Sequence, residues 1–254
     1  MISTIIILCF AAFAAGFVDA IVGGGGLIQL PVAFIMLPQY PVHTVVGTMK
    51  IPAFTGTFFA AIQYIRKVRI NWKLIAACAG TAFVAAWTGS YVLSQVSSSF
   101  MKPVILCILV VVAIYTFTKK DFGQHTEKEH SVKEWMLYGI TIGLVIGFYD
   151  GFIGPGAGSF LVLLFISVLG FDFLKASAHA KLVNLSTNLG SILFFVIKGT
   201  ILDKIAIPMA IANGQGGIAG ARFAILKGNS FVRIFFLLVV TGTIIRFAYD
   251  IFFK

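Results

Sequence analysis

The chain has 254 residues, 59% of them hydrophobic and only 11% charged, with a mean hydropathy of +1.00. Soluble domains carry about 25% charged residues, so this composition excludes an ordinary soluble protein, and apolar runs along the whole length exclude a soluble domain on one anchor. The net charge of +10 does not point to nucleic acid, because the basic residues sit in short clusters between apolar runs, where the positive-inside rule expects them.

The N-terminal run MISTIIILCFAAFAAGF is as hydrophobic as a signal peptide but lacks a positive n-region and continues into Asp19 and the glycines; it reads as a retained first membrane segment. Further apolar segments follow, so that the first half comprises roughly 4–22, 26–37, 43–65, 74–96 and 103–118. A polar stretch at 119–134 links this first repeat (1–118) to a second (135–254), with segments at roughly 135–153, 157–170, 176–197, 205–226 and 232–251. A hydrocarbon core of about 30 Å needs about 20 helical residues, so the second and seventh segments are too short to span comfortably. The expected fold is an all-α polytopic membrane protein with glycine-broken short helices at its centre.

The halves repeat one another at a constant offset of 131 without a gap. Gly16, Phe17 and Asp19 fall on Gly147, Phe148 and Asp150; Gly23 and Gly25 on Gly154 and Gly156; Lys50 on Lys181; Lys67, Ile70 and Lys73 on Lys198, Ile201 and Lys204. Chance apolar similarity does not keep rare aspartates and lysines in register. Paired short or glycine-interrupted segments in two halves point to a transporter binding site. An odd number of crossings per half inverts the second repeat, and four crossings leave it parallel. Inversion is the favoured arrangement, because it brings two equivalent broken segments together from opposite leaflets. The clusters Arg66/Lys67/Arg69/Lys73 and Lys119/Lys120/Lys128/Lys133 mark the cytoplasmic side in either case.

Irregular backbone survives in a bilayer only where it lines a protein cavity. Gly23, Gly24, Gly25 and Gly26 therefore suggest a helix ending near Val22, a turn, and a new half-helix from Leu27, whose free N–H groups and partial positive charge would attract an anion. GFIGPGAGSFLVLL repeats the device with Gly154, Gly156 and Gly158. The alternative is that these glycines only permit close helix packing. Lys50 and Lys181 are intramembrane cations, and Asp19 and Asp150 are candidate partners within each repeat, bracing the turns or carrying a coupled proton. The expectation is that Lys50 pairs with Asp19, whereas Lys181, with Asn184 and Asn188 on the same helical face, faces substrate. Snorkelling to an interface is the bland alternative for both lysines.

Asn213 and Gln215 either line a cavity or bond a neighbouring helix. Cys9, Cys78 and Cys107 read as buried thiols, and His43, His125 and His130 lack metal-ligand spacing, so neither metal nor cofactor is expected. An intramembrane hydrolase with Ser159 as nucleophile and His179 as base competes weakly, for want of a third orienting group.

At GFVDAIVGGGGLIQLP the chain resembles the TauE/SafE family of membrane transporters, the toluene sulfonate uptake permeases. Pro155 and Ala157 replace glycines in the second-half motif. The resemblance implies a secondary exporter or permease in the cell membrane for small organosulfur anions or sulfur oxyanions, such as sulfite or sulfoacetate; related members are linked to other organic acids. Partners are then a small anion and the lipid bilayer, with a homodimer also considered. No ATP-binding motif occurs in the chain.

Overall fold

The computed structural model describes residues 2–100 and 131–252. The helices are α1 (Ile2–Val22), α2 (Gly26–Met36), α3 (Val42–Ile65), α4 (Trp72–Gln95), α5 (Val132–Phe152), α6 (Ala157–Leu169), α7 (Phe173–Ile197) and α8 (Asp203–Phe252). The expected segment at 103–118 and linker residues 119–130 lie outside the described residues, as do Cys107, His125 and His130. Among the described residues, five helices, α1, α3, α4, α5 and α7, are long and apolar enough to cross a membrane. At about 1.5 Å per residue, α2 (11 residues) and α6 (13 residues) reach only about 16 and 20 Å, short of a crossing.

Hydropathy placed three helix starts too late, and capping explains each shift. Asn71 accepts from Leu74 N–H, and Asp172 from Lys175 N–H. Ser131 and Glu134 form a capping box, so the last linker residues are already helical. The expected break between segments at 205–226 and 232–251 is narrower than a loop: α8 runs across it, interrupted at Gly228, which sits at φ +72°.

Gly139, Gly143, Gly147 and Gly151 recur every four residues on α5 and lie against the backbone of Leu74, Cys78, Ala82 and Ala86, also four apart on α4. Small residues at this spacing let membrane helices approach backbone to backbone. Because both series ascend together, α4 and α5 run parallel. Gly216 and Gly220 of α8 meet Phe13 and Phe17 of α1 in the same ascending order. The third long helix of each half is thus laid along the first helix of the other.

Other contacts fix the remaining directions. His179, near the start of α7, accepts from Asn71 N–H just beyond the end of α3. Leu202 N–H, beyond the end of α7, donates to Thr48 near the start of α3. Helices α3 and α7 therefore run in opposite directions. One face of the bundle gathers Arg66, Lys67, Arg69, Lys73, Lys133 and Lys175, while the opposite face carries Lys198 and Lys204. That asymmetry among the described residues is the pattern the positive-inside rule expects of a cytoplasmic face. Phe10, Leu137, Ile197 and Ile207 point outward and are exposed, as suits side chains against lipid.

Candidate functional site

The two broken segments touch. A Cβ on Gly23 would lie 2.7 Å from the Gly158 carbonyl oxygen, Gly23 itself is at φ +80°, and Ser159 N–H donates to Gly23 O at 3.1 Å. A left-handed residue in backbone contact with another chain segment must be glycine. Beside this junction lies a cavity of about 70 Å³. Each water occupies roughly 10–15 Å³ on this scale, so it has room for a few waters or one compact ion.

Breaking a helix exposes carbonyls at one end and N–H groups at the other. Side chains from neighbouring helices cover the carbonyl ends. For α1, Tyr64 Oη donates to Ala20 O (2.9 Å), Ser177 Oγ to Ile21 O (3.2 Å) and Ser159 Oγ to Val22 O (3.0 Å). For α5, Lys50 Nζ donates to Asp150 O (2.6 Å) and Ser90 Oγ to Gly151 O (3.2 Å). The beginnings of α2 and α6 are treated differently: their N-caps are Gly25 and Gly156, and no side chain caps either one. Both glycines line the cavity. Side-chain donors thus meet the carbonyl ends of α1 and α5, while the starts of α2 and α6, where a helix carries its partial positive charge, stand at the cavity.

The ion pairing corrects the within-repeat expectation. Lys50 Nζ lies 2.8 Å from Asp150 Oδ1, and Lys181 Nζ lies 2.9 Å from Asp19 Oδ2. Each lysine therefore pairs with the aspartate of the other half. The reason is the crossed docking of the broken segments: Ile21 accepts from Ser177, and Val22 and Gly23 accept from Ser159, on the α6–α7 side, which brings Asp19 to α7. Thr57 also donates to Asp19 Oδ2, at 3.2 Å.

The positions of the two lysines also differ from expectation. Lys50 lines the cavity, whereas Lys181 is wholly buried and lies outside its lining. Asp19, Asp150, Gly23, Gly25, Gly26, Gly154, Gly156, Gly158, Asn184 and Asn188 all line it, and Gly24 does not. Lys50 and Lys181 are 5% and 0% exposed, so neither snorkels to an interface. Asn213 reaches the cavity and donates to Gln29, which donates in turn to Met49 O. Gln29 and the carbonyl-capping residues Tyr64, Ser90 and Ser177 escaped sequence reasoning; a lone Ser or Tyr in an apolar helix was their only signal.

A Ser–His dyad is not assembled. His179 Nε2 accepts from Asn71 N–H, and Nδ1 lies 2.7 Å from Lys175 O, so both ring nitrogens are engaged with backbone. Ser159 Oγ is committed to Val22 O. Among the described residues, no three His, Cys, Asp or Glu side chains are grouped to hold a metal ion.

A bundle of several crossings, with two broken helices meeting at a cavity that charged and amide side chains line, is built as a membrane transport protein. The family described as "Sulfite exporter TauE/SafE" matches residues 8–247, and the chain belongs to that family. It is 33% identical over 243 residues to "Probable membrane transporter protein ORF9" of Sinorhizobium sp, covering 96% of this chain and 92% of that one. It is 30% identical to a "Probable membrane transporter protein" of Haemophilus influenzae, over 98% and 96% of the two chains. Against "Probable membrane transporter protein YfcA" of Escherichia coli K12 the identity is 29%, over 96% and 89%. No solved structure gives a significant match. The chain is a multi-pass protein of the cell membrane and a membrane transporter of the TauE/SafE family.

Proposed function

We propose that the chain is a secondary transporter of small anions, with sulfonates and sulfur oxyanions as its substrate class. The anion would sit between the starts of α2 and α6, against the backbone of Gly23, Gly25 and Gly26 and of Gly154, Gly156 and Gly158. Lys50 supplies the charged contact, and the Asn184 and Asn188 amides hold further oxygens. Asp19 and Lys181 brace the α1 turn from behind. The observation that carries this reading is the unequal treatment of helix ends: the broken carbonyl ends are covered by side chains, while two glycine-capped helix starts are left to the cavity. The two ion pairs sum to zero charge, so these helix starts make the cavity attractive to anions. The family description, sulfite exporter, supports the sulfur oxyanion class.

The repeats are inverted in this proposal, supported by the opposite directions of α3 and α7 and by the exchanged pairing of α4 with α5 and α8 with α1. Rocking of one half against the other would then expose one fixed site to either side in turn. Purified protein in proteoliposomes, offered sulfite, sulfoacetate, methanesulfonate and small carboxylates, tests the reading. Counterflow of at least one sulfur anion is expected, and its loss in Lys50→Met. Counterflow of cations or sugars but of no anion would refute it.

A further inference from the structure

We propose that Asp150, and not Asp19, takes up one proton when a monovalent oxyanion binds at Lys50. The inference rests on the anion reading above. It starts from an inequality between the two carboxylates. Asp19 Oδ2 receives Lys181 and Thr57, and Lys181 lies where no cavity ligand can reach it. Asp150 receives a single side-chain donor: Lys50 Nζ holds Oδ1, and Oδ2 is buried with no hydrogen-bond partner at all. A buried carboxylate oxygen without a donor is a costly feature that calls for a role. Both Asp150 and Lys50 line the cavity, and the ammonium lies beside the Gly154 turn, 3.3 Å from where a Cβ would stand.

An oxyanion arriving at the start of α6 competes for that ammonium. Nζ has three protons; two are directed at Asp150 O and Oδ1. When the Oδ1 bond turns to the anion, a second negative charge stands next to a carboxylate that has lost its only side-chain donor. A proton from water in the cavity, bonding to Oδ2, removes that charge. One O–H bond forms at Oδ2 and one breaks in the hydronium ion that delivers the proton and leaves as water, so the incoming charges of −1 and +1 cancel. When the anion leaves, Lys50 returns to Oδ1 and the proton departs, so each cycle couples one anion to one proton.

The charged groups around Asp150 are few. Lys50 comes from α3, while Asp19 of α1, paired with Lys181 of α7, also lines the cavity. Helices α2 and α6 contain no charged residue, and α4 contains only Lys73 at its far end. The neighbouring Tyr149 hydroxyl is bound to Pro155 O at 2.6 Å. Among the described residues, Asp19 is the other carboxylate that lines the cavity, and its Oδ2 already accepts from Lys181 and Thr57.

The test titrates methanesulfonate, which stays ionised, into purified protein in two buffers of different ionisation enthalpy. Anion-induced infrared difference spectra accompany it. The wild type should take up about one proton per anion and show a new carboxylic-acid band. The double variant Asp19→Asn/Lys181→Met, which leaves no lone buried charge, should still take up one proton for each anion bound and show the band, whatever its affinity. Asp150→Asn should lack the band. Binding without proton uptake overturns the inference and leaves the anion reading standing, as does loss of uptake in the double variant or a band surviving in Asp150→Asn. If Asp150→Asn does not fold, the wild type and the double variant decide alone. Absence of binding by methanesulfonate, sulfoacetate and sulfite alike overturns the anion reading and this inference with it.

Discussion

Exchange of partners between the two halves predicts which double substitutions rescue which single ones. Removing one member of a buried ion pair leaves an uncompensated charge and costs about 3–5 kcal/mol, whereas neutralising both is often close to harmless. The structure grades the single variants. Lys181→Met leaves Asp19, whose side chain is 17% exposed toward the cavity and keeps Thr57, so the cost falls near the lower end, about 3 kcal/mol. Asp19→Asn leaves Lys181, which is wholly buried, so the cost falls near the upper end, about 5 kcal/mol. A chain of this size loses about 2–4 °C of midpoint per kcal/mol, which translates to roughly 6–12 °C and 10–20 °C. Asp19→Asn/Lys181→Met should recover most of the loss seen in Asp19→Asn alone, and Asp150→Asn should likewise rescue Lys50→Met. Asp19→Asn combined with Lys50→Met should only add the two losses. Thermal denaturation in detergent, read by intrinsic fluorescence, gives all of these midpoints. Rescue of Lys50→Met by Asp19→Asn, or simple additivity in the crossed pairs, would refute the exchanged pairing.

Three further outcomes follow from other contacts. Gly147→Leu should destabilise the protein by several kcal/mol, as overpacking does when a side chain is driven into the Ala82 backbone, and should reduce monodisperse yield on gel filtration. Gly23→Ala combines a left-handed backbone with overlap on Gly158; the backbone alone costs about 1–2 kcal/mol, so the measured midpoint should fall by more than that share. A sulfonate at one hundred times its dissociation constant should raise stability by about 2.7 kcal/mol in a thermal-shift assay; Lys50→Met should weaken binding tenfold or more, about 1.4 kcal/mol, and Lys181→Met distinctly less.

Much of this architecture could be read from residues alone, because a membrane restricts the choices. Hydropathy located the long helices, and the tetraglycine with its counterpart at Gly154–Gly158 located both helix breaks. The aspartates and lysines stood out because charge in lipid demands a reason. Their pairing could not be read the same way. Register between repeats says which residues are equivalent, not which ones touch, and crossed docking sends Asp19 to Lys181 rather than to Lys50. The positions of the lysines differ from expectation for a related reason: amides near Lys181 in sequence suggest a binding face, but depth in the bundle decides access, and Lys50 is the one at the cavity. The glycine stripe on α5 had a regular four-residue spacing, yet it was hidden among apolar residues that described a span just as well. Tyr64, Ser90 and Ser177 carried no pattern, since their task is set by carbonyls of other helices.

The claim that an oxyanion rests where the two helix starts face each other is tested most directly by crystals grown with selenate, a tetrahedral oxyanion with a strong anomalous signal. A single anomalous peak is expected inside the protein, within hydrogen-bond reach of Lys50 Nζ and of the backbone N–H groups at the start of α2 or α6. In Lys50→Met crystals that peak should be lost while any peak at the exposed Arg66–Arg69 turn persists. A wild-type map with selenate only at that basic surface, and none at the glycine junction, would contradict the account.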